Sequence, residues 1–323
     1  MKSIIVRFKL HMNMIKPLSE YFYSSLKLSL CSILILFGLL PHSVTAGQDQ
    51  WTKVGTLNTS IGYMYVNALS EIYVMSWRDS LHRYDGLVWE SIETGLDASL
   101  AVTSFAYSDA GDKTLYVSGI GSTNPYVYQT SNGGNTWSLK TTGVVDDFVI
   151  TVAADPNNTQ VAWLGTDING VYKTVNGGDS WVAKNNGFGT EGTLNRITVA
   201  PGNSSVVYAA GAHLGVFKTT DGGDNWTLLT DNAIFVNTLD AMVVNPANAN
   251  QVFFITDSNE LYRVTDNGSS VSEELFMDGM PVDTTLGSLV IDKNNSAIMY
   301  AGTLNGVYEW DNINTTWNKL KIG

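Results

Sequence analysis

The side chains that could carry chemistry are mostly carboxylates. Asp147, Asp167, Glu191 and Asp257 fall in short polar segments between apolar runs, as do Asp79, Asp97, Asp146, Glu260 and Asp283. Hydrolysis of a glycosidic bond needs two facing carboxylates about 5 to 9.5 Å apart. The first four acids are weak catalytic candidates, because such acids are abundant here and none sits in a diagnostic motif. The same segments hold aromatic residues suited to a ligand surface, Trp77, Phe148, Phe188 and Phe235, and the cations Arg78, Arg196 and His213. Other chemistries are poorly supplied. Cys31 is the only cysteine, and beyond residue 46 the only histidines are His82 and His213. A thiol nucleophile, a Ser-His-Asp triad and a His- or Cys-rich metal site therefore have little to draw on. Asp167-Ile-Asn-Gly170 opens like a calcium loop but lacks the third acidic position and the distal glutamate, so it reads as a turn. No phosphate-cradling glycine motif occurs, and no cofactor is expected.

The elements that must position these residues are announced by a repeat. Thr130-Ser-Asn-Gly-Gly-Asn-Thr-Trp137, Thr174-Val-Asn-Gly-Gly-Asp-Ser-Trp181 and Thr219-Thr-Asp-Gly-Gly-Asp-Asn-Trp226 share one pattern, each between two strand-like runs. Altered copies surround Trp89, Val271 and Trp317, so the marker positions lie 48, 44, 45, 45 and 46 residues apart. In step with them run segments such as AMVVNPANANQVFFIT, which read as strand, turn, strand because Asn, Pro and Gly suit the dihedrals of turns. Each period thus holds four short strands rich in Val, Ile, Tyr and Trp. No window keeps a 3.6-residue apolar period, so helices should be scarce. A unit of about 45 residues with four antiparallel strands is a propeller blade, whose two faces are covered only by stacking against its neighbours. The expected fold is all-β: a β-propeller of six blades of four antiparallel strands, with seven as the alternative. The strand-like Trp51-Thr-Lys-Val is the loose end, either adding at the seam or belonging to an incomplete seventh blade.

The three clean turns match the Asp-box, or BNR repeat, S/T-x-D/N-x-G-x-x-W. The chain resembles the Asp-box propeller superfamily, which includes sialidases, xyloglucan-active glycoside hydrolases, the sortilin ectodomain and a photosystem II assembly factor. The resemblance implies a structural role for the box, capping the turn between third and fourth strands. Thr130, Asn132, Gly134, Trp137, Thr174, Asn176, Gly178, Trp181, Thr219, Asp221, Gly223 and Trp226 are its scaffold residues here. Asn132, Asn176 and Asp221 can accept backbone N–H groups, the glycines permit positive φ, and the tryptophans wedge between blades. Fold-level analogy puts ligands on the opposite face, formed by the loops between blades and those between second and third strands. Sialidase chemistry needs three arginines on a substrate carboxylate. Only Arg78, Arg83, Arg196 and Arg263 follow residue 46, and no Arg-Ile-Pro segment occurs.

Residues 1–46 read as a signal peptide and 47–323 as the propeller. Basic residues precede an apolar run of about 13 residues, short of the roughly 20 that span a bilayer, and Val44-Thr45-Ala46 supplies the small residues for cleavage before Gly47. The chain has 18 basic and 30 acidic residues; without the five cations and one acid of the leader it has 13 against 29, a net of −16. That field repels phosphate backbones and anionic membranes, which excludes nucleic acid as a partner. The expectation is a secreted or periplasmic monomer with no membrane span after signal removal. It acts as a protein-binding or assembly scaffold for a protein or carbohydrate ligand. Glycoside hydrolysis by paired carboxylates is the alternative.

Overall fold

The computed structural model describes residues 3–4, 51–52, 61–67, 70–76, 80–108, 110, 113–121, 125–188, 192–212, 214–230 and 238–320. Among these there is no helix, and hence none long and apolar enough to cross a membrane. Six sheets of four antiparallel strands follow one another along the chain, at residues 61–91, 101–139, 149–183, 194–230, 239–275 and 286–319. We number them blades I to VI. Blade III is representative, with strands Val149–Ala154, Ala162–Thr166, Val171–Thr174 and Val182–Ala183 joined in simple meander order. The first strands of blades II to VI lie side by side around the axis. The six-bladed reading holds. Trp51–Thr52 joins no blade; it pairs in parallel with Ser3–Ile4.

Alternation explains why the blades stack. In the second strand of blade III, Ala162 and Leu164 point at blade II, where they meet Tyr116 and Val127 alongside Val149 and Trp181 of their own blade. Trp163, between them, points at blade IV and packs with Val207, Phe217 and Trp226. A period of two with both sets apolar is what a sheet buried on both faces requires. Five such cores join consecutive blades from I to VI.

A repeated latch fixes the angle between blades. The backbone N–H groups of Trp137, Trp181, Trp226 and Trp317 donate to the carbonyls of Thr94, Thr142, Asn186 and Asp278 in the loop entering their own blade. Their indole N–H groups donate to Ile92, Lys140, Lys184 and Phe276 of the preceding blade at 2.6 to 3.0 Å. The chain passes the tryptophan so closely that a Cβ on Gly187 would lie 2.1 Å from the Trp226 oxygen, and Gly187 itself has φ +93°. Blade V carries Val271 at this position, and the seam from IV to V is held instead by an apolar core and by Lys218.

The Gly-Gly turns close as their residue types dictate. The Thr174 hydroxyl donates to Asn176 Oδ1 at 2.8 Å and accepts the Gly178 N–H at 2.9 Å, while Asn176 Oδ1 accepts the Ser180 N–H at 3.0 Å. Thr130 with Asn132, and Thr219 with Asp221, repeat this arrangement. Gly133, Gly134 and their counterparts all have positive φ.

Candidate binding face

The loops between blades and those between second and third strands share one face. A β-bulge interrupts the first strand of every blade at the same place near this face, at Gly62, Thr103, Ile150, Asn195, Asp240 and Gly287. Bulges re-aim side chains at sheet ends, and here two of them tie neighbouring blades. The Thr103 hydroxyl donates to the Val149 carbonyl at 3.1 Å, and Asn195 Nδ2 donates to that of Leu239 at 3.4 Å. Arg196, next to the bulge, spends its guanidinium on the carbonyls of Asn195 and Asp240 at 2.7 and 2.8 Å. Burial pushes the Asp240 carboxyl above its usual value; Arg196 pulls against this, and the charge of Asp257 adds to the rise. The Asp257 backbone is fixed by donation to Thr238 at 3.2 Å.

The loops of blade III are tied to one another. Asp147 is buried, and its carboxylate is committed to the neighbouring turn. Oδ2 accepts the Ile168 and Asn169 N–H groups and Asn169 Nδ2 at 2.9 to 3.0 Å, and Oδ1 accepts the Phe148 N–H at 2.7 Å. It therefore holds the turn 166–170 against the loop 141–148. Asp167, half-buried on that turn, accepts the Thr193 hydroxyl at 2.5 Å and so bridges to blade IV. Phe148, Val145 and Ile168 remain exposed at 39, 55 and 67 % and form an apolar ridge beside the acidic Asp146. Next to it a pocket of about 270 Å³ opens between blades III and IV, lined by Ile168, Asn169, Asn185, Phe188 and Leu214. Phe188 is half-buried, its ring 4.5 Å from Phe217 and 4.7 Å from Trp226. Its remaining edge is the pocket wall.

The structure thus gathers Asp147, Phe148, Asp167 and Phe188 on one side of the face, with Arg196 on the first strand of blade IV and Asp257 on the turn after the second strand of blade V. Trp77, Arg78, Glu191, His213 and Phe235 lie outside the described residues, as does most of the leader. Among the described residues no three His, Cys, Asp or Glu side chains gather closely enough to hold a metal ion. Asp240, Thr193 and Leu214 are not among the residues that the sequence singles out, and Asn169 figures there only as part of a turn. Only Asp240 had a usable signal, the shared second position of the strand runs LDAMVV, LNRITVA and VITVAA.

Fold and face together define a six-bladed β-propeller with an apolar, acid-edged groove on its loop face. No protein-family model and no curated protein matches the sequence. Solved structures do match. An ancestral GH74 enzyme aligns with 80 % of this chain at TM-score 0.62 and 17 % identity, and the Niastella koreensis GH74 enzyme with 80 % at 0.59 and 17 %. YCF48 from Cyanidioschyzon merolae aligns with 81 % at TM-score 0.60 and 16 % identity, over 87 % of its own length. The chain spans only 38 % and 46 % of the two GH74 enzymes. At these identities the likeness is one of fold.

Proposed function

We propose that this chain is an exported Asp-box propeller that docks a protein segment on its loop face, in the groove between blades III and IV. The observation that carries the reading is the pairing of the exposed ridge Val145, Phe148 and Ile168 with the adjoining pocket. Exposed apolar groups gathered at a preformed hollow mark recognition sites. The acids Asp146 and Asp167 beside them, on a chain of strongly negative charge, suit a segment that mixes apolar and basic residues. The loops are well braced, with Asp147 locking one to another, so the segment meets a preorganised surface. Export rests on the leader, whose basic residues, apolar run and small residues before Gly47 suit cleavage. Selection of extended peptides displayed on phage against residues 47–323 should enrich sequences alternating Lys or Arg with Leu, Ile or Phe. Filling the pocket with Leu214→Trp, or charging the ridge with Phe148→Asp, should weaken binding at least roughly ten-fold. Peptides that bind both variants as well as the parent would sink the proposal.

A second reading, glycoside hydrolysis, is favoured by one specific observation: Asp240 is protonated more readily than a free carboxyl while Asp257 acts on it as a charge. A carboxyl kept protonated beside a second carboxylate is one element of paired acid and base roles. In this reading a panel of plant and microbial polysaccharides would yield reducing ends, and Asp257→Asn would abolish the release. No release across the panel removes it.

A further inference from the structure

The opposite face carries a second pocket, separate from the groove between blades III and IV. Each third strand places one residue opposite an aromatic of the second strand: Arg83 opposite Tyr73, Gln129 opposite Tyr116, Lys173 opposite Trp163, Lys218 opposite Tyr208, Arg263 opposite Phe253 and Glu309 opposite Tyr300. Three of the cations reach across a seam to oxygen atoms of the next blade. Arg83 donates to the Gly133 carbonyl at 3.2 Å and Lys173 to that of Gly222 at 2.8 Å. Lys218 donates to Asn250 Oδ1 and Asp266 Oδ2, both at 2.7 Å.

Arg263 is the next member of the series, and both acceptors have been replaced. Strand register aligns Met299 of blade VI with Val252 of blade V, since they pair with Ile291 and Val244 at the ends of the first strands. The residue two places earlier is Asn250 in blade V and Ala297 in blade VI. Likewise Asp266, three places after Arg263, corresponds to Asn312, three places after Glu309. The turn of blade VI is no Gly-Gly turn. It closes on itself, with Asp311 accepting the Ile313 and Asn314 N–H groups at 2.9 and 3.1 Å. Where Lys218 meets a carboxylate and an amide oxygen, Arg263 borders a pocket of about 200 Å³, whose walls include Asn245, Gln251, Ala297 and Asn312 above Trp310. The guanidinium meanwhile lies over Phe276 at 4.7 Å and pairs with Glu274 of its own blade, a side chain 48 % exposed.

We infer that the pocket between blades V and VI binds a small hydroxylated carboxylate, the chemistry of a sugar acid, with the ligand carboxylate taking the place that Asp266 fills beside Lys218. The planar fork of arginine matches a carboxylate in two parallel hydrogen bonds, and its five donors can serve Glu274 and a ligand together. Exposed ion pairs such as that with Glu274 hold their partners weakly. Asn245 Nδ2 donates to Gln251 Oε1 at 2.7 Å and Gln251 Nε2 to the Thr265 hydroxyl at 3.1 Å; each of these amides has a second proton to give, and Asn312 adds its own amide, which suits hydroxyl groups.

Saturation-transfer NMR and calorimetry on residues 47–323, with galacturonate and glucuronate as probes and galactose and glucose as neutral controls, test this. The acids should bind and the neutral sugars should not. Asn312→Asp together with Ala297→Asn rebuilds the Lys218 arrangement inside the protein. It should weaken acid binding at least roughly ten-fold while leaving the thermal midpoint unchanged or higher, so a loss cannot be unfolding. Leu214→Trp on the loop face should leave acid binding intact, which separates this site from the docking groove. Absence of acid binding, equal binding of neutral sugars, or undiminished binding in the double variant would each overturn the assignment.

Discussion

A threonine hydroxyl at the head of each Gly-Gly turn acts as donor and acceptor at once. Thr174→Val keeps the shape but leaves the buried Gly178 N–H without a partner, which should cost about 1 to 3 kcal/mol, whereas Thr174→Ser should be close to neutral; urea unfolding measures both. Two carboxylates give pH dependences of opposite sign. Hydrogen bonding to Lys218 holds Asp266 below its usual value. Its contribution is therefore complete above the unfolded carboxylate pKa and lost as pH falls through the folded one. Asp266→Asn should flatten the acid limb and, because it leaves the Lys218 ammonium, 3 % exposed, with Asn250 but no counter-charge, cost about 3 kcal/mol at neutral pH. Asp240 is raised by burial, so stability declines as pH climbs from the unfolded carboxylate value through the folded one. Asp240→Asn should remove that decline and stabilise at pH 7, as a pH series of denaturant midpoints would show. The turn residues were legible because a local turn dictates them. The part played by Asp147 was not, since the sequence reveals neither its burial nor its hydrogen bonds to the turn at 166–170.

At the level of elements, the repeat period disclosed the sheets and their number because each sheet is one uninterrupted stretch of chain. Two things were hidden. One is the bulge in every first strand, a register irregularity that no single strand sequence displays. The other is the close pass of a loop glycine against the tryptophan carbonyl of the blade it enters. Two glycines separate the contributions to that pass. Gly86 has φ +100° with nothing within 4 Å of an added Cβ, so Gly86→Ala should cost only the backbone strain, about 1 to 2 kcal/mol. Gly187→Ala adds a collision with the Trp226 carbonyl and should destabilise substantially more, with early loss of the contact between blades III and IV. Thermal melts of the two variants, with hydrogen exchange at the Trp226 amide, make the comparison. Equal costs would show that the seam yields easily.

For the molecule as a whole, charge decides more than shape. An acidic ring attracts basic partners through a long-range field, so the association rate with a selected peptide should fall steeply between low and physiological salt, while dissociation changes little; stopped-flow measurement separates the two. If the leader is processed as proposed, mass spectrometry of the exported product will find Gly47 at its N-terminus.

No described strand pairs with a strand of another blade. Neighbouring sheets adhere through side chains and a few latches, and a protease acting at the fully exposed Val282 would sever no ladder. The piece bearing blade VI would keep Trp317 and its half of the core shared with blade V. Two fragments divided there, made separately and mixed, should find each other and restore the fold, giving a split protein whose reunion can be engineered to report on a third molecule.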